Sequence, residues 1–146
     1  MSAPAAVSRA TGDLLLLLRT AGSVENYVDT KLSEIGLSLP KLAALDKLTK
    51  AGGSLPLGQL AERLACVKSN VTQLVDRLDA DGLVTRESDP NDRRSRLAVL
   101  TDAGRRAYET GAETFRAAER HLFSSLTLDE TARLADLFEK LERAID

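Results

Sequence analysis

The segment Asp89–Arg94, DPNDRR, constrains this chain more than any other. It stands between two β-rich runs, Leu83–Thr85 and Arg96–Thr101, and so reads as the tip of a hairpin. The run before it, SNVTQLVDRLDADG from Ser69 to Gly82, has a helical period instead. Val71, Leu74, Val75 and Leu78 make one apolar face. At about 100° per residue, Ser69, Asn70, Thr72, Gln73, Asp76 and Arg77 fall on the opposite side. Gly82 stops the helix. The unit is therefore a helix with one polar face, a glycine stop and an arginine-tipped hairpin.

Helices flank this unit on both sides. The first covers about Ser8 to Ser33, with Leu14, Leu17, Leu18, Ala21, Val24, Val28, Leu32 and Ile35 at three- and four-residue steps. Leu15 and Leu16 lie outside that stripe. A helix apolar on more than one side meets two partners, here its own domain and a second subunit. Ser38 caps a second helix, with Pro40 in its first turn and Gly52-Gly53 after its end at Lys50. Ser54–Pro56 reads as a short strand, and Leu57 to about Ala65 as a third helix carrying Leu60, Ala61 and Leu64. The fourth helix spans about Lys68 to Asp81, followed by a strand at Leu83–Glu87, a tip at Ser88–Ser95 and a returning strand at Arg96–Leu100. Thr101 caps a fifth helix, about Asp102 to Ser124, lined by Gly104, Ala107, Tyr108, Gly111, Phe115, Ala118 and Leu122. Thr127 and Glu130 form a capping box for a sixth, whose face is Leu134, Leu137, Phe138, Leu141 and Ile145.

Composition excludes several classes. With 146 residues, 43% of them hydrophobic, the chain suits one domain with a real core. The formal net charge of -2 counts against nucleic-acid binding. Steering depends on local charge, however, and Arg86, Arg93, Arg94 and Arg96 cluster around the hairpin while Asp129, Glu130, Asp136, Glu139 and Glu142 gather near the C-terminus. One cysteine, Cys66, and one histidine, His121, give neither a disulfide framework nor a metal cluster. Five leucines, Leu14–Leu18, fall far short of the roughly 20 residues that span a bilayer. No leader pattern opens the chain. The expectation is a soluble, cytoplasmic protein without membrane contact or cofactor. No nucleophile–base arrangement or phosphate loop suggests an enzyme.

A helix with a polar face beside an arginine-tipped hairpin is the form of a winged helix-turn-helix, in which the helix fits the major groove and the arginine enters the minor groove. The order of elements, with LAERL (Leu60–Leu64), SNVTQLVDRLDADGLV (Ser69–Val84) and DPNDRRSRLAVLT (Asp89–Thr101), resembles the MarR family of bacterial transcriptional regulators over nearly the whole chain. The resemblance implies a mainly α fold with a small β-wing. It implies one domain over residues 1–146: a winged-helix DNA-binding lobe at about 37–101, and dimerisation helices at about 8–35 and 102–146. It also implies a homodimer that binds a pseudo-palindromic duplex operator, most often as a repressor released by a small lipophilic or phenolic effector. The family's wing pattern, roughly Asp-x-Arg-Asp-x-Arg, falls on Asp89 to Arg94, with Asn91 in place of the first arginine. Arg94 thereby inherits the minor-groove role and Asp92 the holding of the wing arginines. Members often have Ser or Thr as helix cap where this chain has Val67.

The expected DNA-reading residues are Lys68, Ser69, Asn70, Thr72, Gln73 and Arg77 on the helix and Asp92, Arg93, Arg94 and Arg96 on the wing. Asn and Gln can bond adenine in two places; Arg77, late in the helix, suits a phosphate. Each set reads equally as a solvated surface when taken alone. The same fold also serves as a protein-interaction module without DNA readout. Cys66 is open to two readings: a thiolate favoured by a helix N-terminus, able to sense oxidants, or a small apolar filler between the third and fourth helices. His121 reads as a plain helix residue or a subunit contact. Tyr27, Tyr108 and Phe115 are either core or the lining of a ligand pocket.

Overall fold

The computed structural model describes residues 2–64 and 70–146, with the backbone alone at 2–11. The elements run α1 (Ser2–Ser33), α2 (Leu39–Lys50), β1 (Ser54–Pro56), α3 (Leu57–Arg63), α4 (Val71–Ala80), β2 (Val84–Asp89), β3 (Asp92–Leu100), α5 (Asp102–Phe123) and α6 (Leu128–Ile145). The three strands form one antiparallel sheet in the order β1-β3-β2. The expected mainly helical fold with a small β-wing is the one observed.

The core lies where α2, α3, α4 and the sheet meet. Leu45, Leu48, Leu60, Val75 and Leu78 are fully buried there, and Val84, Leu55, Ala98 and Leu100 come in from the sheet. The apolar face read on α4 points inward: Leu74, Val75 and Leu78 are buried and Val71 half-buried. Burial of side chains of this size contributes about 1.5–3 kcal/mol each, which fixes the rotation of α4 about its axis. Val28 and Leu32 of α1 and Ala118 of α5 extend the core toward the terminal helices.

Local signals set the helix ends. Ser38, Thr101 and Thr127 each accept a backbone N–H with the side-chain oxygen, and Glu130 completes the capping box at α6. Gly82 takes φ 75°, which lets the Leu83 N–H reach the Leu78 carbonyl at 2.9 Å and close α4. From there the chain enters β2. The Thr101 N–H donates to the Leu83 carbonyl at 3.1 Å and the Thr101 hydroxyl to the Gly82 carbonyl at 2.7 Å. The end of α4, both wing strands and the start of α5 thus share one junction.

The wing departs from the expected boundaries. The tip is Pro90 and Asn91 alone, because the strands run on to Asp89 and Asp92. Two carboxylates make this possible: Asp89 accepts the Asn91 N–H at 2.9 Å and Asp92 the Arg94 N–H at 3.0 Å. Regular pairing ends at Ser88 with Arg96, and a register shift leaves residues 93–95 of β3 without β2 partners. Arg93 and Arg94, expected in a loop, therefore stand on a strand.

The terminal helices behave differently from the core. Leu14 to Leu18 and Val24 of α1 are exposed, as are Leu137, Phe138, Leu141 and Ile145 of α6. No residue of α6 is buried. Phe115, expected on the inner side of α5, is exposed. Among the described residues, no helix is long and apolar enough to cross a membrane.

Two glycines of α5 stand where a side chain would run into the winged unit. A Cβ on Gly104 would lie 2.1 Å from the Leu83 carbonyl oxygen, and one on Gly111 2.7 Å from the Cδ1 atoms of Leu37 and Leu42. A backbone oxygen cannot turn aside, whereas leucine methyls can. Gly104→Ala is expected to destabilise by about 1–3 kcal/mol. Gly111→Ala should stay within about 1 kcal/mol of the parent, since the gain in helix propensity offsets part of the crowding. Urea unfolding midpoints of the two variants check this order.

Candidate nucleic-acid interface

The inward rotation of α4 turns its other side out. Thr72, Gln73, Asp76 and Arg77 are all exposed on one continuous face. Asn70 holds the start of the helix: its backbone is extended and its Oδ1 accepts the Gln73 N–H at 3.3 Å. The expectation placed Asn70 within a helix from about Lys68; in the structure it caps the helix. Asn70 is exposed, and among the described residues its amide NH2 group has no hydrogen-bond acceptor. Lys68 and Ser69, and with them Cys66 and Val67, lie outside the described residues.

Helix α2 starts beside α4. Ser38, Pro40 and Lys41 line an open groove of about 250 Å3 with Asn70, Gln73, Leu74 and Arg77. Lys41 Nζ reaches Asp81 Oδ2 at 2.8 Å and ties the start of α2 to the end of α4. Two helix N-termini and the Arg77 cation give this groove a positive character.

The wing carries the other charge. Arg93, Arg94 and Arg96 are exposed, and among the described residues none of them has a carboxylate partner. Asp92 braces the Arg94 backbone, so its carboxylate acts on the strand and not on a guanidinium. Arg86 differs from its neighbours in sequence: it pairs with Asp76 of α4. The arrangement is a polar helix face and, beside it, a narrow ribbon with three uncompensated cations. A face of that kind can bond base edges while the ribbon meets phosphates or a narrow groove.

The three aromatic residues expected either in the core or around a pocket do not converge. Tyr27 stacks on His121 with ring centroids 5.7 Å apart, and Lys31 Nζ stands 5.6 Å from the Tyr27 ring centre. They line an open cleft of about 340 Å3 between α1 and α5 with Thr114, Ala117 and Ala118. Tyr108 instead joins α5 to α2: its hydroxyl donates to Asp46 Oδ1 at 2.7 Å, and Lys50 Nζ lies 3.1 Å from Asp46 Oδ2. Among the described residues no group of three His, Cys, Asp or Glu side chains could hold a metal.

Burial raises the Asp46 pKa, but the hydrogen bonds from Tyr108 and Lys50 and the charges of Lys50 and Lys47 outweigh it and hold the carboxyl below its ordinary value. A carboxyl depressed in the folded state adds stability above its unfolded pKa of about 3.9, and that stability is lost as pH falls through the folded value. Tyr108→Phe removes the hydroxyl and is expected to cost about 1–2 kcal/mol at pH 7. The difference from the parent should shrink below about pH 4 as Asp46 takes up its proton. Urea unfolding between pH 3 and 7 reads both limbs.

Comparison with known proteins places this geometry. Residues 37–95 match the model of the MarR family. An uncharacterized HTH-type transcriptional regulator of Bacillus subtilis (strain 168), YkoM, is 32% identical over 92% of this chain and 86% of its own length. The HTH-type transcriptional repressor MdtR of the same organism is 32% identical over 76% of this chain and 71% of its own. Among solved structures, a mutant MarR from E. coli complexed with operator DNA superposes with a TM-score of 0.74 at 24% identity, over 89% of this chain and 96% of that one. The last likeness is one of fold.

Proposed function

This chain belongs to the MarR family of transcriptional regulators, and from that membership we propose that it is a homodimeric, sequence-specific repressor of a pseudo-palindromic duplex operator, released by a small lipophilic or phenolic acid. The observation that carries the reading is the outward face of α4 beside a wing with three exposed arginines that have no carboxylate partner among the described residues. Gln73 and the Asn70 amide bond base edges in the major groove, with Thr72 against a thymine methyl or a base edge. Lys68 and Ser69, next to Asn70 in sequence, are carried in this reading as further DNA contacts. Arg77, on the groove shared with α2, meets phosphate. Arg94, with Arg93 and Arg96 near it, enters the minor groove, where a narrow A·T stretch concentrates negative potential.

A second copy of the chain covers the apolar surface left by α1 and α6, and the two α4 helices then lie about one DNA turn apart, roughly 34–36 Å. The effector acts through that spacing. The cleft between α1 and α5 offers an aromatic ring, an ammonium and an imidazole, which suits an aromatic acid. A ligand there shifts α5 against α2, and base contacts that tolerate only a few tenths of an ångström are lost together. That MdtR is a repressor supports the sign of the effect.

The test is fluorescence anisotropy with DNA from upstream of the chain's own gene, titrated across salt. The parent should bind it well above random DNA and weaken steeply as salt rises. Arg94→Ala is expected to lower operator affinity about 5- to 150-fold, the equivalent of about 1–3 kcal/mol. Binding no tighter than to random DNA and unchanged in the variant would refute the reading.

A further inference from the structure

The sequence groups Arg86 with Arg93, Arg94 and Arg96 as the charge around the hairpin. The structure separates it from them. Arg86 pairs with Ala98 in the ladder, and it shares a strand face with Val84, two residues earlier. Val84, Ala98 and Leu100 on that face are buried. Arg86 therefore points toward α4, where its guanidinium meets the Asp76 carboxylate. Its Nε and Nη2 atoms are closed off from solvent and, among the described residues, make no hydrogen bond, so the pair is a contact of opposite charges.

Asp76 stands in a place where a carboxylate is unwelcome. It follows Thr72 by four residues and Gln73 by three, and so shares their outward face. An uncompensated negative charge there would repel a phosphate backbone; Arg86 cancels it. The pair also has a geometric effect. The backbone junction and β1, paired with β3 at Leu97–Val99, hold the base of the hairpin; outside them two strands alone are marginal, and a side-chain tie steadies their angle to the helix. The Arg86–Asp76 pair is such a tie, placed partway between the junction and the tip. We infer that Arg86 is a positioning residue: it sets the wing against α4 and neutralises Asp76, and it acts on DNA binding through Asp76 without touching DNA. The inference rests on the DNA-binding reading given above.

The experiment compares the full-length parent with Arg86→Ala, Arg86→Lys, Asp76→Ala, Asp76→Asn and the double alanine variant. Amide hydrogen exchange over residues 84–97 is read without DNA, and operator affinity and its salt dependence with DNA. Arg86→Ala should speed exchange of the wing amides and weaken operator binding roughly tenfold, with the slope against log salt unchanged. Adding Asp76→Ala should restore part of that affinity, because the harm comes from the stranded carboxylate; Arg86→Lys should lie near the parent. Independent, additive losses with a salt slope reduced by about one would mean that Arg86 itself binds phosphate, and would overturn the inference. Wing exchange unchanged in every variant would overturn it too. Should Arg86→Ala not fold, Asp76→Asn, altered at an exposed atom, gives the same exchange readout. Failure of the parent to bind its operator would sink the DNA reading, while faster exchange in the variants would still establish the tie.

Discussion

The junction of Gly82, Leu83, Thr101 and Gly104 is the contact on which the rest of this structure depends. Four segments end or begin there, and each uses the others' backbone groups. Gly82 turns the chain out of α4, Leu83 lends its carbonyl to Thr101, and Thr101 caps α5 by accepting the Gly104 N–H at 3.0 Å. Because Gly104 has no side chain, α5 comes down onto the Leu83 carbonyl itself. Helix α4, the base of the wing and the first turn of α5 are therefore joined at this point by backbone geometry.

That rigidity explains how a chain of net negative charge presents a basic face. The net charge of -2 is a sum over the surface. The core faces of α4 and β2 set the direction of their polar residues, so Gln73 and Arg77 stand out while Arg86 turns in, and Arg94 is exposed on β3 beyond the regular pairing. Acidic residues cluster instead on α6, at Asp129, Glu130, Asp136, Glu139 and Glu142. A charge balance taken over the whole chain averages these two ends and hides the polarity that steers a ligand.

What could be read from the sequence was what is local. The apolar face of α4, the Thr101 cap, the Thr127–Glu130 capping box and the glycine stop at Gly82 each depend on residues within one or two turns, and each is where its spacing places it. The wing tip was misjudged because Ser88, Asp89, Asp92 and Ser95 are loop-type residues by composition; two of them use their carboxylates to prolong the strands. Asn70 carries a double signal: an Asn three residues before Gln73, at the start of the apolar period, is a cap as readily as a base reader. The pairs Arg86–Asp76 and Tyr108–Asp46, the latter 62 residues apart, left no trace in any window. Phe115 has the period of a core residue but faces outward, because the period gives a side of the helix and not what covers it.

Helix α6 has no fully buried residue, and only Thr131 and Leu134 along it are partly covered. With a second copy as its cover, its order is a bimolecular property, and the free energy that holds it grows with the logarithm of protomer concentration. A dilution series then becomes an unfolding experiment at one end of the molecule. In the proposed dimer, titrations at nanomolar protein would merge assembly with operator affinity into one apparent constant, and the copy number of this chain would become a variable of the proposed regulation.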